Sequence, residues 1–154
     1  MTLQRILKFG GTSVGTPERI LHIVSLVTDT SRHPMGSVPG IVVSAFGGTT
    51  DALITLARQA TSGDKTFEAD LKSMEKRHRD ALDAILPPTA RSTPIASIKV
   101  LFNELSDLLH GILLVGECSD RVLDHVMAFG ERLSALVVAE AFTSRGAPAE
   151  VLDA

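Results

Sequence analysis

The residues from Lys8 to Ser13 have types and a spacing that suit the binding of an anion. The apolar pair Ile6-Leu7 predicts the end of a strand, with Lys8 at its C-terminal tip. The adjacent Gly10 and Gly11 allow backbone angles that are closed to other residues, and they leave no Cβ between the backbone and a ligand. This stretch therefore offers one positive charge beside an accessible backbone.

A helix is predicted to begin directly after this turn. Pro17 suits the first helical position, Thr16 can cap the helix, and Glu18 favours its first turn. A strand, a glycine turn and a helix N-terminus together form an anion site, because free N–H groups point outward and the helix dipole favours negative charge. The alternative is a tight strand–helix connection with an exposed Lys8.

Two common nucleotide-binding patterns are missing from this turn. Walker A requires a lysine directly after its last glycine, but Gly15 is followed by Thr16. The dinucleotide-binding pattern G-x-G-x-x-G is also absent, because the glycines fall at positions 10, 11 and 15. A phosphate site here would have its lysine before the glycines.

A second turn of the same kind follows the β-branched run at 41–43. It extends from Ser44 to Asp51, contains Gly47 and Gly48, and leads into another apolar helix pattern. Two such turns on neighbouring parallel strands would face one crevice at the carboxyl ends of the sheet. The alternative is again ordinary strand–helix geometry.

The third unusual stretch is Phe-Gly-Glu-Arg-Leu-Ser at 129–134. A glycine within an apolar helix costs about 1 kcal/mol relative to alanine, which indicates close approach of another backbone or a ligand at Gly130. Glu131 would then be an acid beside that approach. The alternative is an exposed Glu131 paired with Arg132 or another neighbour.

The periodicity of apolar residues predicts the elements that position these stretches, and the fold class is α/β. Prolines, glycines and polar residues predict loops over 29–39 and 89–94 and a turn at 116–118, with Ser119 capping the helix that follows. The parallel strands are expected near 3–9, 40–45 and 149–152, and the helices near 17–29, 53–60, 65–86, 95–114, after Ser119, and at 136–142. The mixed-sign segment at 75–80 is interpreted as a solvated face. The buried stripe of the helix at 65–86 is expected to consist of Phe67, Leu71, Met74, His78, Leu82 and Ile85.

Composition limits the class of protein. The 154 residues suffice for one domain with a real core, and a net charge of −3 without a dense basic run argues against nucleic-acid binding. No apolar run approaches the roughly 18 residues of a membrane span, and no signal peptide precedes the first strand. The single Cys118 excludes an internal disulfide. We therefore expect a cytoplasmic protein without membrane contact.

The three stretches together resemble aspartate kinases of the amino acid kinase family. Residues 8–13 match the signature Lys-Phe-Gly-Gly-Thr-Ser, and 129–134 match Phe-Gly-Glu-x-Leu-Ser. Ser44-Ala45 with Thr50 matches that family's second loop. The matches occur in the family's order, and the similarity extends over essentially all 154 residues.

This resemblance implies a fold, a reaction and a set of site residues. The fold is an incomplete three-layer sandwich with a mainly parallel sheet and helices on both faces. The reaction transfers the γ-phosphate of ATP, with Mg²⁺, to the side-chain carboxylate of L-aspartate, the first step of lysine, threonine and methionine biosynthesis. The phosphates are bound by Lys8 (also the catalytic residue), Gly10, Gly11 and Ser13, and aspartate by Ser44, Ala45, Thr50 and Glu131.

The expected chemistry needs neither a histidine base nor a metal ligand from this chain. A carboxylate with a reference pKa near 3.9 is already ionised at neutral pH, and none of the five histidines lies in a glycine turn. Phosphoryl transfer depends on positioning and charge neutralisation. We interpret all five histidines as ordinary surface or core residues.

The resemblance also indicates what surrounds this chain in the parent enzyme. Residues 1–154 correspond to the N-terminal, substrate-side portion, without the nucleotide lobe and regulatory domains, so we expect no turnover by the chain alone. An unpaired sheet edge favours association, and we expect a homo-oligomer. The segments at 76–78, 87–88, 109–112 and 152–154 resemble the bifunctional aspartokinase–homoserine dehydrogenases.

Two alternatives remain open at this point. One is another amino acid kinase, acting on glutamate, acetylglutamate or a nucleotide; Thr50 and Glu131 in their motifs argue against it. The other is a stand-alone anion- or metabolite-binding module.

Overall fold

The computed structural model describes residues 3–29 and 38–152. Two strands and five α-helices follow one another in these residues, and a short 3₁₀ turn, Pro88–Ala90, precedes the fourth helix. The elements are β1 (Leu3–Phe9), α1 (Pro17–Thr28), β2 (Val38–Val43), α2 (Thr49–Thr61), α3 (Phe67–Ile85), α4 (Ser92–Val115) and α5 (Asp120–Ser144).

The two strands pair in parallel, as predicted for an α/β fold. Leu7 lies opposite Ile41 and Phe9 opposite Val43. The Ser44 N–H donates to the Phe9 carbonyl oxygen at 3.0 Å, so the pairing continues into the segment after β2. The carboxyl ends of both strands therefore lie side by side, and the two glycine turns leave the sheet at the same edge.

The two faces of the sheet have different surroundings. Phe9, Ile41 and Val43 pack against the helical core. Side chains alternate along a strand, so Ile6 and Val42 point the other way, and they are 67% and 49% exposed. Parallel sheets are normally covered on both faces. In the part of the chain that the structure describes, the helical core covers one face of the sheet.

The core lies among α2, α3, α4 and α5, which contact one another pairwise. The predicted buried stripe of α3 is confirmed, since each of its members is less than 9% exposed. These are Phe67, Leu71, Met74, His78, Leu82 and Ile85. None of the described helices is long and apolar enough to cross a membrane.

Two predicted helix caps are confirmed. The Thr16 side chain accepts a hydrogen bond from the Arg19 N–H at 3.4 Å, and Pro17 occupies the first helical position. The Ser119 hydroxyl likewise accepts from the Val122 N–H at 3.4 Å at the start of α5. Each cap satisfies an N–H group that has no partner within its own helix.

The predicted third strand at 149–152 is wrong. These residues are irregular, and they pair with neither β1 nor β2. Val151 is 44% and Leu152 83% exposed, and an apolar pair forms a strand only where a neighbouring strand supplies the backbone partners. β2 also begins and ends two residues before its predicted bounds of 40–45, and most of the predicted loop at 29–39, residues 30–37, lies outside the described residues.

Two helices are longer than predicted. α5 is continuous from Asp120 to Ser144, so the segment at 136–142 is its second half rather than a separate helix. α4 begins at Ser92, so half of the predicted linker at 89–94 is helical. Pro94 lies in the first turn of α4, where its missing N–H would have had no intrahelical partner.

Candidate functional site

The first turn is a compact loop held against α1. The N–H groups of Ser13 and Val14 donate to the Gly10 carbonyl at 2.8 and 3.3 Å, and the Arg19 guanidinium donates to the Thr12 carbonyl. No described residue accepts a hydrogen bond from the N–H groups of Gly11 or Thr12. A loop that is fixed by its carbonyls and keeps N–H groups available can bind an anion.

Lys8 is one residue from the end of β1 and is exposed. It pairs in register with Val42, and it lies on the sheet face that the described helices leave uncovered. No hydrogen bond or ion pair joins its ammonium group to another described residue. The ammonium group is therefore available to an incoming anion.

The two glycine turns touch each other, which confirms the prediction that they share one edge of the sheet. A Cβ on Gly11 would lie 2.7 Å from the Ala45 carbonyl oxygen and 3.7 Å from the Gly47 nitrogen. A Cβ on Gly15 would lie 3.1 Å from the Gly11 carbonyl oxygen. Contacts below 3.0 Å are not tolerated, so the close approach requires glycine at position 11.

The second turn, residues 44–48, leads directly into α2. Gly48 has φ of 80°, in the left-handed region that favours glycine, and the Thr49 N–H donates to the Phe46 carbonyl at 2.8 Å. Thr50 follows in the first turn of α2 and is half-buried. Thr49 is buried, and its hydroxyl has no partner among the described residues. We call residues 44–48 the second loop.

Glu131 lies on α5 and reaches the second loop. Its Oε1 accepts a hydrogen bond from the Ala45 N–H at 3.4 Å. Arg132 instead lies 3.3 Å from a carboxylate oxygen of Glu104 and sits over the Phe129 ring, with its guanidinium carbon 4.9 Å from the ring centroid. Glu131 is exposed and contacts the backbone of the second loop.

Gly130 is the reason that α5 can approach so closely. A Cβ at this position would lie 2.7 Å from the Ala45 Cβ and 3.3 Å from the Leu53 Cδ1. The predicted close approach at this glycine is thus confirmed, and the neighbour is the second loop together with α2. The Ala45 side chain occupies the space beside Gly130, and α5 continues through this position without a break.

α3 contributes to the site in a way that the sequence motifs did not indicate. The Arg77 Nη2 donates to the Gly47 carbonyl at 3.0 Å. The His78 ring stacks on Phe46 with a centroid distance of 4.7 Å and an interplanar angle of 8°. Burial lowers the His78 pKa to about 4, against an opposing hydrogen bond to the Met74 carbonyl. His78 is therefore neutral near pH 7.

The mixed-charge segment at 75–80 was expected to be a solvated face. That holds for Lys76 and Asp80, which form an exposed pair at 2.6 Å, but Arg77 contacts the second loop and His78 is buried. The helical spacing of His78 predicted its place in the buried stripe, and this prediction is confirmed. Nothing in the sequence links Arg77 to Gly47, because the contact joins two distant segments.

The groups at this edge suit phosphate and carboxylate ligands better than a metal cage. In residues 3–29 and 38–152, no three histidine, cysteine, aspartate or glutamate side chains converge to hold a metal ion. Mg²⁺ in phosphate sites is bound by one or two carboxylates together with the substrate phosphates. The N–H groups of the first turn and Lys8 are donors, and they complement phosphate oxygens.

The structure thus brings Gly11, Ala45 and Glu131 into contact, with Ser44 and Thr50 on the same loop and helix start. Gly10 and Ser13 belong to the adjoining first turn, where Ser13 donates to Gly10. Their roles toward ATP and aspartate stay predictions.

Comparison with known proteins agrees with this geometry. A sequence model described as the amino acid kinase family matches residues 4–154. The bifunctional aspartokinase/homoserine dehydrogenase 2, chloroplastic, of Zea mays is 29% identical over 147 residues, which are 95% of this chain and 16% of that protein. The aspartokinase of Candida albicans is 32% identical over 143 residues, which are 92% of this chain and 26% of that protein.

The fold is also similar to a solved structure. The crystal structure of E. coli aspartokinase III in complex with lysine and aspartate has a TM-score of 0.75 and 24% identity, over 92% of this chain and 29% of that one. This likeness confirms the α/β fold. The chain spans about a quarter or less of the length of these two curated relatives.

Proposed function

This chain belongs to the amino acid kinase family, and we propose that it is the N-terminal, substrate-side part of an aspartate kinase. The proposed reaction transfers the ATP γ-phosphate to the side-chain carboxylate of L-aspartate and gives 4-phospho-L-aspartate. Curated relatives that match nearly the whole chain are aspartokinases, some of them fused to homoserine dehydrogenase. We extend the proposal to that bifunctional branch for the parent protein.

One observation carries the proposal: three motifs distant in sequence meet at one edge of the sheet. Gly11 of the first turn lies against Ala45 of the second loop, and the Ala45 N–H bonds to Glu131 of α5. A plain strand–helix connection would not require the glycine of the first turn, the second loop and an acid of α5 to adjoin one another. A kinase has to bring a phosphate donor and an amino acid together, so it does require these three segments to adjoin one another.

We assign the two halves of the site by charge. The first turn and Lys8 offer N–H donors and a positive charge, which suit the phosphates of ATP. The Glu131 carboxylate suits the ammonium group of an amino acid, and the Thr50 hydroxyl suits its carboxylates. The phosphate side comprises Lys8, Gly10, Gly11 and Ser13, and the aspartate side comprises Ser44, Ala45, Thr50 and Glu131.

The chemistry asks little of these residues beyond orientation and charge. The aspartate side chain is ionised near pH 7, so its carboxylate attacks without a base. A helix N-terminus supplies about half a unit of positive charge, so Lys8 is needed to approach neutralisation of the transferred group. Mg²⁺ bound mainly by the ATP phosphates would neutralise more of the negative charge on the phosphate oxygens. The residues of this chain hold the two reactants in place.

Ligand titrations that follow the amide shifts of the chain test the proposal. We expect L-aspartate to perturb Ala45, Thr50 and Glu131, and inorganic phosphate to perturb Gly10, Gly11 and Ser13. Perturbation by phosphate without any effect of aspartate would favour a plain anion-binding module instead. Glutamate and acetylglutamate, titrated in parallel, distinguish the other amino acid kinases.

Two variants make this test specific. Glu131→Gln keeps the shape but removes the charge, and we expect aspartate affinity to fall by about tenfold or more while phosphate affinity is retained. Glu117→Gln removes the same charge from an exposed turn and should change neither. An unchanged aspartate affinity in Glu131→Gln would contradict the assignment.

We also propose a cytoplasmic location and a homo-oligomeric parent enzyme. The single cysteine is compatible with a reducing compartment. The uncovered sheet face with Ile6 and Val42 supplies an apolar surface for association.

A further inference from the structure

The second loop is contacted by α3 in addition to the first turn and α5. Glu131 of α5 contacts Ala45 at the start of the loop, and Gly11 of the first turn adjoins the same residue. Arg77 and His78 contact the next two residues, Phe46 and Gly47. The loop is thus fixed by three separate elements.

The Arg77 contact combines two interactions. Its Nη2 donates to the Gly47 carbonyl at 3.0 Å, and the guanidinium carbon lies 5.8 Å from the centroid of the Phe46 ring. A cation within about 6 Å of an aromatic face is attracted to it, and a hydrogen bond from a charged donor is stronger than a neutral one. One exposed side chain therefore fixes both the backbone and a side chain of the second loop.

The stacking of Phe46 on His78 also fixes the second loop. Phe46 is 3% exposed and stacks on His78, which in turn meets the Phe102 ring edge-on at 5.6 Å. The Phe46 carbonyl accepts from the Thr49 N–H, so its position sets where α2 begins. Thr50, the predicted aspartate ligand, is the next residue of that helix.

We propose that Arg77 is a positioning residue for the aspartate-binding loop. It acts through Gly47 and Phe46: by holding them against α3, it sets the orientation of the Ala45 N–H and of the first turn of α2. The proposal rests on the proposed function, because it takes the second loop to be the aspartate-binding loop. Arg77 itself is not assigned any contact with the substrate.

Three variants of α3 test this inference. Arg77→Ala removes both interactions, and Arg77→Lys keeps a charged donor that can reach the Gly47 carbonyl. Arg79→Ala is the matched control, because Arg79 is exposed on the same helix and its side chain forms no hydrogen bond or ion pair with another described residue. Urea denaturation of each variant verifies that global stability is close to that of the unmodified chain.

Amide hydrogen exchange of the unliganded chain is the first measurement. We expect exchange at Ala45 and Thr49 to become about tenfold faster in Arg77→Ala, to recover largely in Arg77→Lys, and to stay unchanged in Arg79→Ala. Equal exchange rates in Arg77→Ala and the unmodified chain would overturn the inference. A uniform acceleration across α2 and α5 would overturn it as well, since that indicates general destabilisation.

Ligand affinity is the second measurement. We expect Arg77→Ala to raise the dissociation constant for L-aspartate by about tenfold, and that for inorganic phosphate by less than about twofold. Equal weakening of both ligands would contradict a role confined to the second loop. If the unmodified chain binds no aspartate, the proposed function fails, while the exchange rates still decide whether Arg77 positions the loop.

Discussion

Gly130 shows how a single missing side chain permits the site to form. Its Cα faces Ala45 and Leu53, and no space for a Cβ remains between α5 and the second loop. Glycine has a low helix propensity, but the close contact that Gly130 permits brings Glu131 to the Ala45 N–H. At this position, both the packing of α5 and the geometry of the site require glycine.

Gly130→Ala should therefore destabilise the protein. The added Cβ would overlap Ala45 and approach Leu53 within the core, and overpacking of this kind costs typically 1–3 kcal/mol. Gly111→Ala is the matched control, because Gly111 lies within α4 with nothing within 4 Å of the added Cβ. That change should stabilise by up to about 1 kcal/mol. Urea denaturation of both variants measures the difference, and equal effects would refute the packing explanation.

His78 should make stability depend on pH. Burial lowers its folded pKa to about 4 from an ordinary value of 6.5, so the unfolded chain binds more protons between these values. The contribution of His78 to the free energy of unfolding is therefore fully present above about pH 6.5 and is lost as the pH falls towards 4. From about pH 7.5 to about pH 5, the free energy of unfolding should fall by roughly 2 kcal/mol through this group.

Urea denaturation at several pH values checks the His78 contribution. His78→Leu should remove this part of the pH dependence, while the other ionisable groups keep theirs. Met74→Leu is the control, because Met74 is buried on the same helix and carries no titratable group, so this change should leave the slope as it is. An identical slope in His78→Leu and the unmodified chain would show that His78 does not titrate as described.

At the residue scale, the sequence predicted which positions matter but not all of their contacts. The motifs indicated the glycines and Glu131 because each violates a local preference or offers an unusual charge. Arg77 violates nothing locally, since an arginine on a helix surface is ordinary. Its importance arises only from the loop that folds against it, so no local pattern could have revealed it.

At the scale of elements, Arg91 joins α3 to α4. Its side chain donates to the Leu86 carbonyl at 2.9 Å and to the Asp83 carbonyl at 2.6 Å, and it lies 3.4 Å from the Asp83 carboxylate. The last carbonyls of a helix lack intrahelical partners. One arginine therefore completes the end of α3 just before α4 begins.

Arg91→Ala should destabilise the protein by about 1–2 kcal/mol, because two carbonyl groups lose a charged donor at a partly buried position. Arg121→Ala, on the exposed surface of α5, should change stability by less than about 0.5 kcal/mol. Thermal or urea denaturation measures both. A similar loss in the two variants would show that the carbonyl contacts contribute nothing specific.

The same scale explains where prediction of the elements succeeded. The helices with a regular apolar stripe were located to within a few residues, as α3 shows. The separate helix predicted at 136–142 was wrong, because α5 continues without interruption from Asp120 to Ser144. The strand predicted at 149–152 was wrong because the pairing of a strand depends on neighbours that its own residues do not encode.

At the scale of the whole molecule, the uncovered sheet face should govern association. Ile6 and Val42 are exposed on the same face of the two-stranded sheet, and exposed apolar patches favour association with another chain. We expect concentration-dependent association in sedimentation velocity experiments. The double change Ile6→Thr and Val42→Thr should weaken it, whereas Leu114→Thr, at an 86% exposed position of α4, should leave it unchanged. Association that persists in the double variant would exclude this face.

The parallel pairing of β1 with β2 also indicates the order in which the site is assembled during folding. Leu7 pairs with Ile41 across the single intervening helix α1, whereas the contact between Glu131 and Ala45 joins residues 86 positions apart. Contacts between residues distant in sequence form more slowly, because more chain entropy is lost before any contact is gained. The two glycine turns should therefore come together first, and Glu131 should join the second loop last.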